Sequence, residues 1–112
     1  MNNRGNEFSR LNLHIEAETD EFWFFDFQEH GSSDLVACMD YILMKTQKDK
    51  LSIIAHSQGT TQTFYAMAED PEYFKKRVNL FVALSPMVHM QHIRSALLVL
   101  FAYSPSLQEI LM

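Results

Sequence analysis

Cysteine is almost missing from this chain: Cys38 stands alone among 112 residues. That excludes an internal disulfide, a CxxC redox pair and a zinc cage built from cysteines. Runs of Lys and Arg are missing as well, and the net charge is −5, so the basic footprint of a nucleic-acid-binding surface is excluded. The longest apolar run, over residues 96–103, falls far short of the ~20 residues that a membrane-spanning helix requires. The polar start Met1-Asn2-Asn3-Arg4-Gly5-Asn6 lacks the apolar stretch of a secretory signal. On these absences alone the chain reads as a soluble intracellular protein, a reading that the motif content overrides. No repeat, low-complexity tract or linker divides it. Hydrophobic residues at 47% and charged residues at 21% are ordinary globular values and exclude disorder. A chain of this size buries roughly 65% of its unfolded surface, enough for one core and one domain.

Residues 6–20 read as loop. Phe22-Trp23-Phe24-Phe25-Asp26-Phe27 then gathers large aromatics into a cluster of the kind found in cores and at domain interfaces. Leu35, Cys38, Met39, Ile42 and Leu43 form one apolar helical stripe, with Ser33 as the expected N-cap, Asp34 in the first turn and Lys45 near the end. Residues 51–55 are a short, nearly unbroken apolar run, as expected of a parallel strand covered on both faces. A helix is expected from Gly59 to about Asp70, where Pro71 ends it, followed by a short helical piece over 72–76. Residues 78–84 read as a second buried strand closed by Ser85-Pro86, and residues 93–102 and 106–112 as apolar helices. Alternating helices and strands give an α/β fold class with parallel strands joined by right-handed crossovers. Two strands are too few for a stable parallel sheet, so the sheet is expected to be incomplete. Its open apolar edges predict aggregation or a covering partner.

One motif carries chemistry. Ala55-His56-Ser57-Gln58-Gly59 stands between strand and helix in the small-x-Ser-x-Gly form of a nucleophile elbow. The sharp turn lifts the serine hydroxyl above the sheet edge in a strained conformation, and strand and helix pass so closely that Ala55 and Gly59 must be small. The helix start supplies free N–H groups, and the Gln58 N–H is the expected oxyanion donor, worth ~3 kcal/mol to a tetrahedral transition state. The bare pattern arises by chance in roughly one chain of this length in ten, so its specificity comes from its strand-turn-helix context. His56 is adjacent in sequence but projects elsewhere and reads as a packing or hydrogen-bonding residue. His89 and His92 form an H-x-x-H pair without a third ligand and read as surface or cap histidines; no metal and no cofactor is expected. Glu69, Asp70 and Glu72 follow the elbow helix too closely to serve as its acid, and Glu109 is the remaining downstream carboxylate. No Asp–His pair completes the triad.

These residues resemble the acid lipases, the family of gastric and lysosomal acid lipase. Residues 3–10, Asn-Arg-Gly-Asn-Glu-Phe-Ser-Arg, are similar to the family's N-S-R-G-N-x-[WY]-[SA]-R segment, and residues 21–29 to its E-F-W-x-F-S-F-D-E-M segment. Asp34-Leu35-Val36-Ala37 with Asp40-Tyr41-Ile42-Leu43 resembles D-L-P-A-x-I-D-[YF]-I-L. His56-Ser57-Gln58-Gly59-Thr60-Thr61 matches H-S-Q-G-T-T, and Phe81-Val82-Ala83-Leu84-Ser85-Pro86 resembles F-x-A-L-A-P. Departures are Ala55 for glycine, Val36 for proline, His30 for methionine and Ser33 for tyrosine.

The resemblance implies a partial α/β-hydrolase fold over residues 1–92, with a helical cap starting at 93–112. It implies hydrolysis of acylglycerols or sterol esters through an acyl-enzyme on Ser57, with Gln58 as oxyanion donor. It also implies that the chain is an internal fragment lacking the triad Asp and His, and that a full-length member is secreted or lysosomal. Two other readings stay open: a non-catalytic, lipase-derived lipid-binding or interaction protein, and a short hydrolase with an improvised base such as His89.

Overall fold

In the computed structural model, which describes residues 1–89, 92, 94–96 and 99–100, the first long helical run opens at Asp26, well ahead of Ser33. Asp26 Oδ1 accepts from the Gln28 N–H at 2.6 Å, and Glu29 Oε2 accepts from the Asp26 N–H at 2.9 Å. This reciprocal capping box satisfies two orphan donors at once, which Ser33 alone could not do. The bond from the Asp26 N–H holds the Glu29 carboxyl below its ordinary value.

From that cap, α1 (Phe27–Glu29), a π-helical stretch (His30–Leu35) and α2 (Val36–Thr46) follow one another without a break in helical dihedrals. Ser33 therefore lies inside the helix, exposed, and caps nothing. Asp34 is likewise away from the helix start. Its carboxylate accepts from Arg4 through Nε at 2.9 Å, Nη2 at 2.8 Å and the backbone N–H at 2.8 Å, which fastens the N-terminal segment down. The run stops where Gln47 turns left-handed at φ 54°.

A two-stranded parallel sheet follows, β1 (Leu51–His56) beside β2 (Val78–Leu84), joined by α3 (Gln58–Glu69) and α4 (Pro71–Arg77). Ile53 pairs with Phe81, Ala55 with Ala83 and His56 with Leu84, after an irregularity between Leu51 and Ser52. Pro71 takes the first position of α4, while the Asp70 side chain accepts from the Tyr73 N–H at 3.0 Å.

Leu35, Met39, Ile53, Ala66 and Phe74 make the core, so α2, α3 and α4 all pack on one side of the sheet. The other face is open among the described residues, and Ile54 is 72% exposed. The expected covering of β1 on both faces is thus not seen: alternate residues separate the faces, and only the Ile53 face meets helices. The elbow helix α3 crosses the π stretch at Gly31, where a Cβ would overlap the Gln62 carbonyl oxygen. The two helices there meet backbone to backbone.

Across the core, the Tyr73 hydroxyl donates to Asp40 Oδ1 at 2.6 Å, and the Arg77 guanidinium lies 4.0 Å from the Tyr73 ring centroid. Burial and the Asp40 carboxylate push the Tyr73 phenol well above its ordinary value.

The aromatic cluster departs from a core. Phe22 is buried, but Phe24 is 93% exposed, and Phe22, Trp23 and Phe25 pack mostly on one another. His30 is buried beside Phe25, with 5.3 Å between ring centroids and no hydrogen bond to either ring nitrogen among the described residues. The helix expected over 93–102 falls largely outside the described residues, although the Val99 N–H donates to the Ser95 carbonyl at 3.0 Å. The one expected over 106–112 lies wholly outside them. No helix of the described residues is long and apolar enough to cross a membrane.

Candidate active site

Ser57 sits between the end of β1 and the start of α3 with φ 53° and ψ −123°. A side chain at that φ is strained, by roughly 1–3 kcal/mol for a sparsely populated backbone region. Its neighbours hold it there. The Ser57 N–H donates to the Leu84 carbonyl of β2 at 3.1 Å, so the strand beside it anchors the turn. The Ser57 carbonyl accepts from the Thr60 N–H at 2.8 Å and from Thr60 Oγ1 at 2.6 Å. Thr60 is itself fully buried.

Strand and helix pass closely at this corner. A Cβ placed on Gly59 would lie 3.5 Å from the Ala55 Cβ, in ordinary van der Waals contact. The two small positions therefore face each other across the turn; one added methyl at Gly59 would still fit, and only bulk beyond a Cβ would press on Ala55.

A serine at the start of a helix ordinarily turns its hydroxyl inward to cap the first turn. Ser57 makes no such cap bond. Its Oγ instead donates to the Met87 Sδ at 3.1 Å. Met87 belongs to the loop after β2, and that loop is tied to α3 twice. The Met87 N–H donates to Thr60 Oγ1 at 3.0 Å, and Thr61 Oγ1 donates to the Met87 carbonyl at 2.7 Å.

Gln58, exposed at the first position of α3, has no preceding carbonyl within the helix for its N–H, which leaves that donor and the positive helix end facing the serine side of the turn. Ser57 thus stands at the start of a helix whose first N–H groups have no carbonyl partner within the helix, and backbone donors of that kind are what a developing oxyanion requires.

The remaining candidates are not brought to the hydroxyl. His56 ends β1 exposed and without a side-chain hydrogen bond among the described residues, so the packing or bonding role expected for it is not seen there. As the last residue of β1 on the uncovered face, it meets no helix among the described residues. Glu69, Asp70 and Glu72 are exposed at the far end of α3, and Asp70 is engaged in capping α4. His89 and His92 are exposed, and no group of three metal-ligating side chains forms among the described residues. Glu109 lies outside the described residues. Among the described residues no imidazole or carboxylate hydrogen-bonds Ser57. Met87 was not anticipated from the sequence. Its position three residues beyond the strand is visible there, but nothing in residue type points a thioether at a hydroxyl.

Comparison with known proteins agrees with this geometry. The alpha/beta hydrolase fold family matches residues 1–110. Gastric triacylglycerol lipase of Mus musculus is 39% identical over 94 residues, 84% of this chain and 24% of the relative. Lysosomal acid lipase/cholesteryl ester hydrolase of Rattus norvegicus is 42% identical over 89 residues, 80% of this chain and 22% of the relative. Lipase member K of Homo sapiens is 36% identical over 110 residues, 98% of this chain and 27% of the relative. The chain thus spans about a quarter of the length of the curated relatives it matches. With a parallel strand-turn-helix corner at Ser57 and a family match along nearly its whole length, the chain belongs to the alpha/beta hydrolase fold family, where its sequence is similar to gastric and lysosomal lipases.

Proposed function

We propose that Ser57 is the nucleophile of a serine ester hydrolase acting on acylglycerols or sterol esters. The observation that carries the reading is the strained backbone of Ser57 at φ 53° and ψ −123°, outside the left-handed helical region that Gln47 takes, held between a parallel strand and a helix N-terminus. A protein does not keep a non-glycine residue there without over-determining it, and such strain gathers at functional turns. The names of the relatives, a triacylglycerol lipase and a cholesteryl ester hydrolase, supply the substrate class.

In this reading Ser57 Oγ attacks the ester carbonyl and forms the new C–O bond, while its proton passes through a general base to the departing alcohol as the ester C–O bond breaks. Water then releases the acid from the acyl-enzyme. The Gln58 N–H faces the oxyanion, a contribution of ~3 kcal/mol. The general base and its carboxylate come from outside the described residues. Without them a serine hydroxyl at its free pKa is a poor nucleophile, and the rate falls by several orders of magnitude. Residues 1–92 act in this proposal as part of the catalytic core and 93–112 as the beginning of a cap. The open sheet face with Ile54 is the surface that further strands, helices or a partner cover.

The test is labelling with a fluorophosphonate, read by peptide mass spectrometry, on the native protein from its source and on a Ser57→Ala variant. Modification at Ser57 in the native protein, abolished in the variant, is the expected result. A native protein that stays unmodified while a known serine esterase in the same sample reacts would refute the proposal and leave a non-catalytic relative.

A further inference from the structure

We infer that Met87 is the side chain that borders the acyl group on Ser57 and sets how much bulk that group can carry next to its carbonyl. The inference rests on Ser57 being the nucleophile and names a specificity determinant of that same site. Its basis is a distance: Met87 Sδ lies 3.1 Å from Ser57 Oγ. Non-bonded heavy atoms settle at about 3.5–4.0 Å, so a carbonyl carbon one covalent bond beyond Oγ, and the substituent it carries, must touch the thioether or displace it.

The backbone of residue 87 cannot retreat. Thr60 Oγ1 holds its N–H at 3.0 Å and Thr61 Oγ1 its carbonyl at 2.7 Å, and both threonines belong to the elbow helix itself. Thr60 is fully buried and also holds the Ser57 carbonyl, so loop and elbow move as one piece. Only the side-chain torsions of Met87 are left to adapt. An unbranched thioether with three rotatable bonds yields to a straight acyl chain lying along it, whereas branching beside the carbonyl meets the sulfur head-on. Sulfur is also a weak acceptor, so the resting hydroxyl is held in place yet gives up this bond readily to a stronger base.

The experiment uses two alkyl fluorophosphonates, one with small straight substituents and one branched next to phosphorus, on native protein and Met87 variants. In labelling, the Oγ–P bond forms, the P–F bond breaks with loss of fluoride, and the hydroxyl proton passes to base or solvent. Met87→Ala is expected to raise the branched-to-straight rate ratio at Ser57 about tenfold or more, the effect of one or two methylene-sized contacts in an apolar site. Met87→Leu, which conserves volume, is expected to keep the wild-type ratio, and Met87→Phe to lower it.

A ratio is read because a general loss of folding scales both probes alike. If Met87→Ala labels with neither probe, Met87→Phe decides: a lowered ratio supports the assignment and an unchanged one overturns it. An unchanged ratio in a Met87→Ala protein that still labels also overturns it, with Ser57 left as nucleophile. No modification of the native protein by either probe would instead overturn the nucleophile reading, and this inference with it.

Discussion

Gly31→Ala puts one methyl group where the helical run beginning at Phe27 crosses the elbow helix. Two effects oppose each other. Gly31 is helical, so alanine gains about 0.8–1.0 kcal/mol of intrinsic propensity. Against this, the new Cβ would overlap the Gln62 carbonyl oxygen and also meet the Ala66 Cβ at 3.4 Å. The oxygen is backbone in the middle of α3, with buried Gln62, Thr63 and Ala66 around it, so no flexible side chain can swing aside. Overpacking of this kind costs about 1–3 kcal/mol, and a clash against backbone belongs in the upper half of that range. The clash wins, for a net loss of about 1–2 kcal/mol. Urea unfolding followed by circular dichroism measures it, with Ser33→Ala on the exposed face of the same stretch as a control that takes a smaller propensity gain and no clash. A Gly31→Ala protein at least as stable as wild type would refute the backbone-to-backbone crossing.

Two further predictions concern stability. The Glu29 carboxyl is held below its ordinary value of 4.5, chiefly by the Asp26 N–H, so its cap contribution is complete above pH 4.5 and disappears as pH falls through the lowered value. Glu29→Gln keeps the hydrogen bond without the charge, and its unfolding midpoint is expected to vary less than wild type between pH 6 and 3, a range set by the ordinary carboxylate pKa; equal slopes count against the capping box. Tyr73→Phe removes the hydroxyl that donates to Asp40 Oδ1 at 2.6 Å, and because Asp40 is exposed the expected loss is about 1 kcal/mol in urea unfolding. A change below a few tenths would show that solvent replaces the bond without cost.

What the sequence makes legible follows the range of the interaction. The corner at Ser57 is local: a strand, a small residue on each side and a helix N-terminus fall within a few positions, so Ala55-His56-Ser57-Gln58-Gly59 announces its own geometry. The bounds of β2 and the stop at Pro71 are local in the same way, one an apolar run and the other a backbone restriction. The start of the first helical run is also local, yet it lies at Asp26 and not at Ser33. The apolar stripe begins at Leu35 with Ser33 before it as a cap-forming residue type, while the Asp26 to Glu29 box lies inside an aromatic cluster whose residue types signal burial and not a helix start. An expectation of two covered faces for β1 came from composition, which measures how apolar a strand is but not what is laid against it.

Non-local contacts left no trace in the pattern. Met87 reaches Ser57 from thirty positions along the chain only because β2 returns beside β1 and sets its loop above the elbow. That same parallel pairing supplies the Leu84 carbonyl that anchors the Ser57 N–H. Holding the strained serine and walling its hydroxyl are thus two consequences of one strand placement. Thr60 and Thr61 join them by binding the loop to the helix that the serine starts. A substitution in the loop after β2 is therefore expected to be felt first at Ser57, whereas one in the N-terminal segment acts on it through the elbow helix, by way of the Asn3–Gln62 bond, the Arg4–Asp34 pair and the crossing at Gly31. The division separates substitutions that meet the Ser57 hydroxyl directly from those that reach it through the packing of the elbow helix.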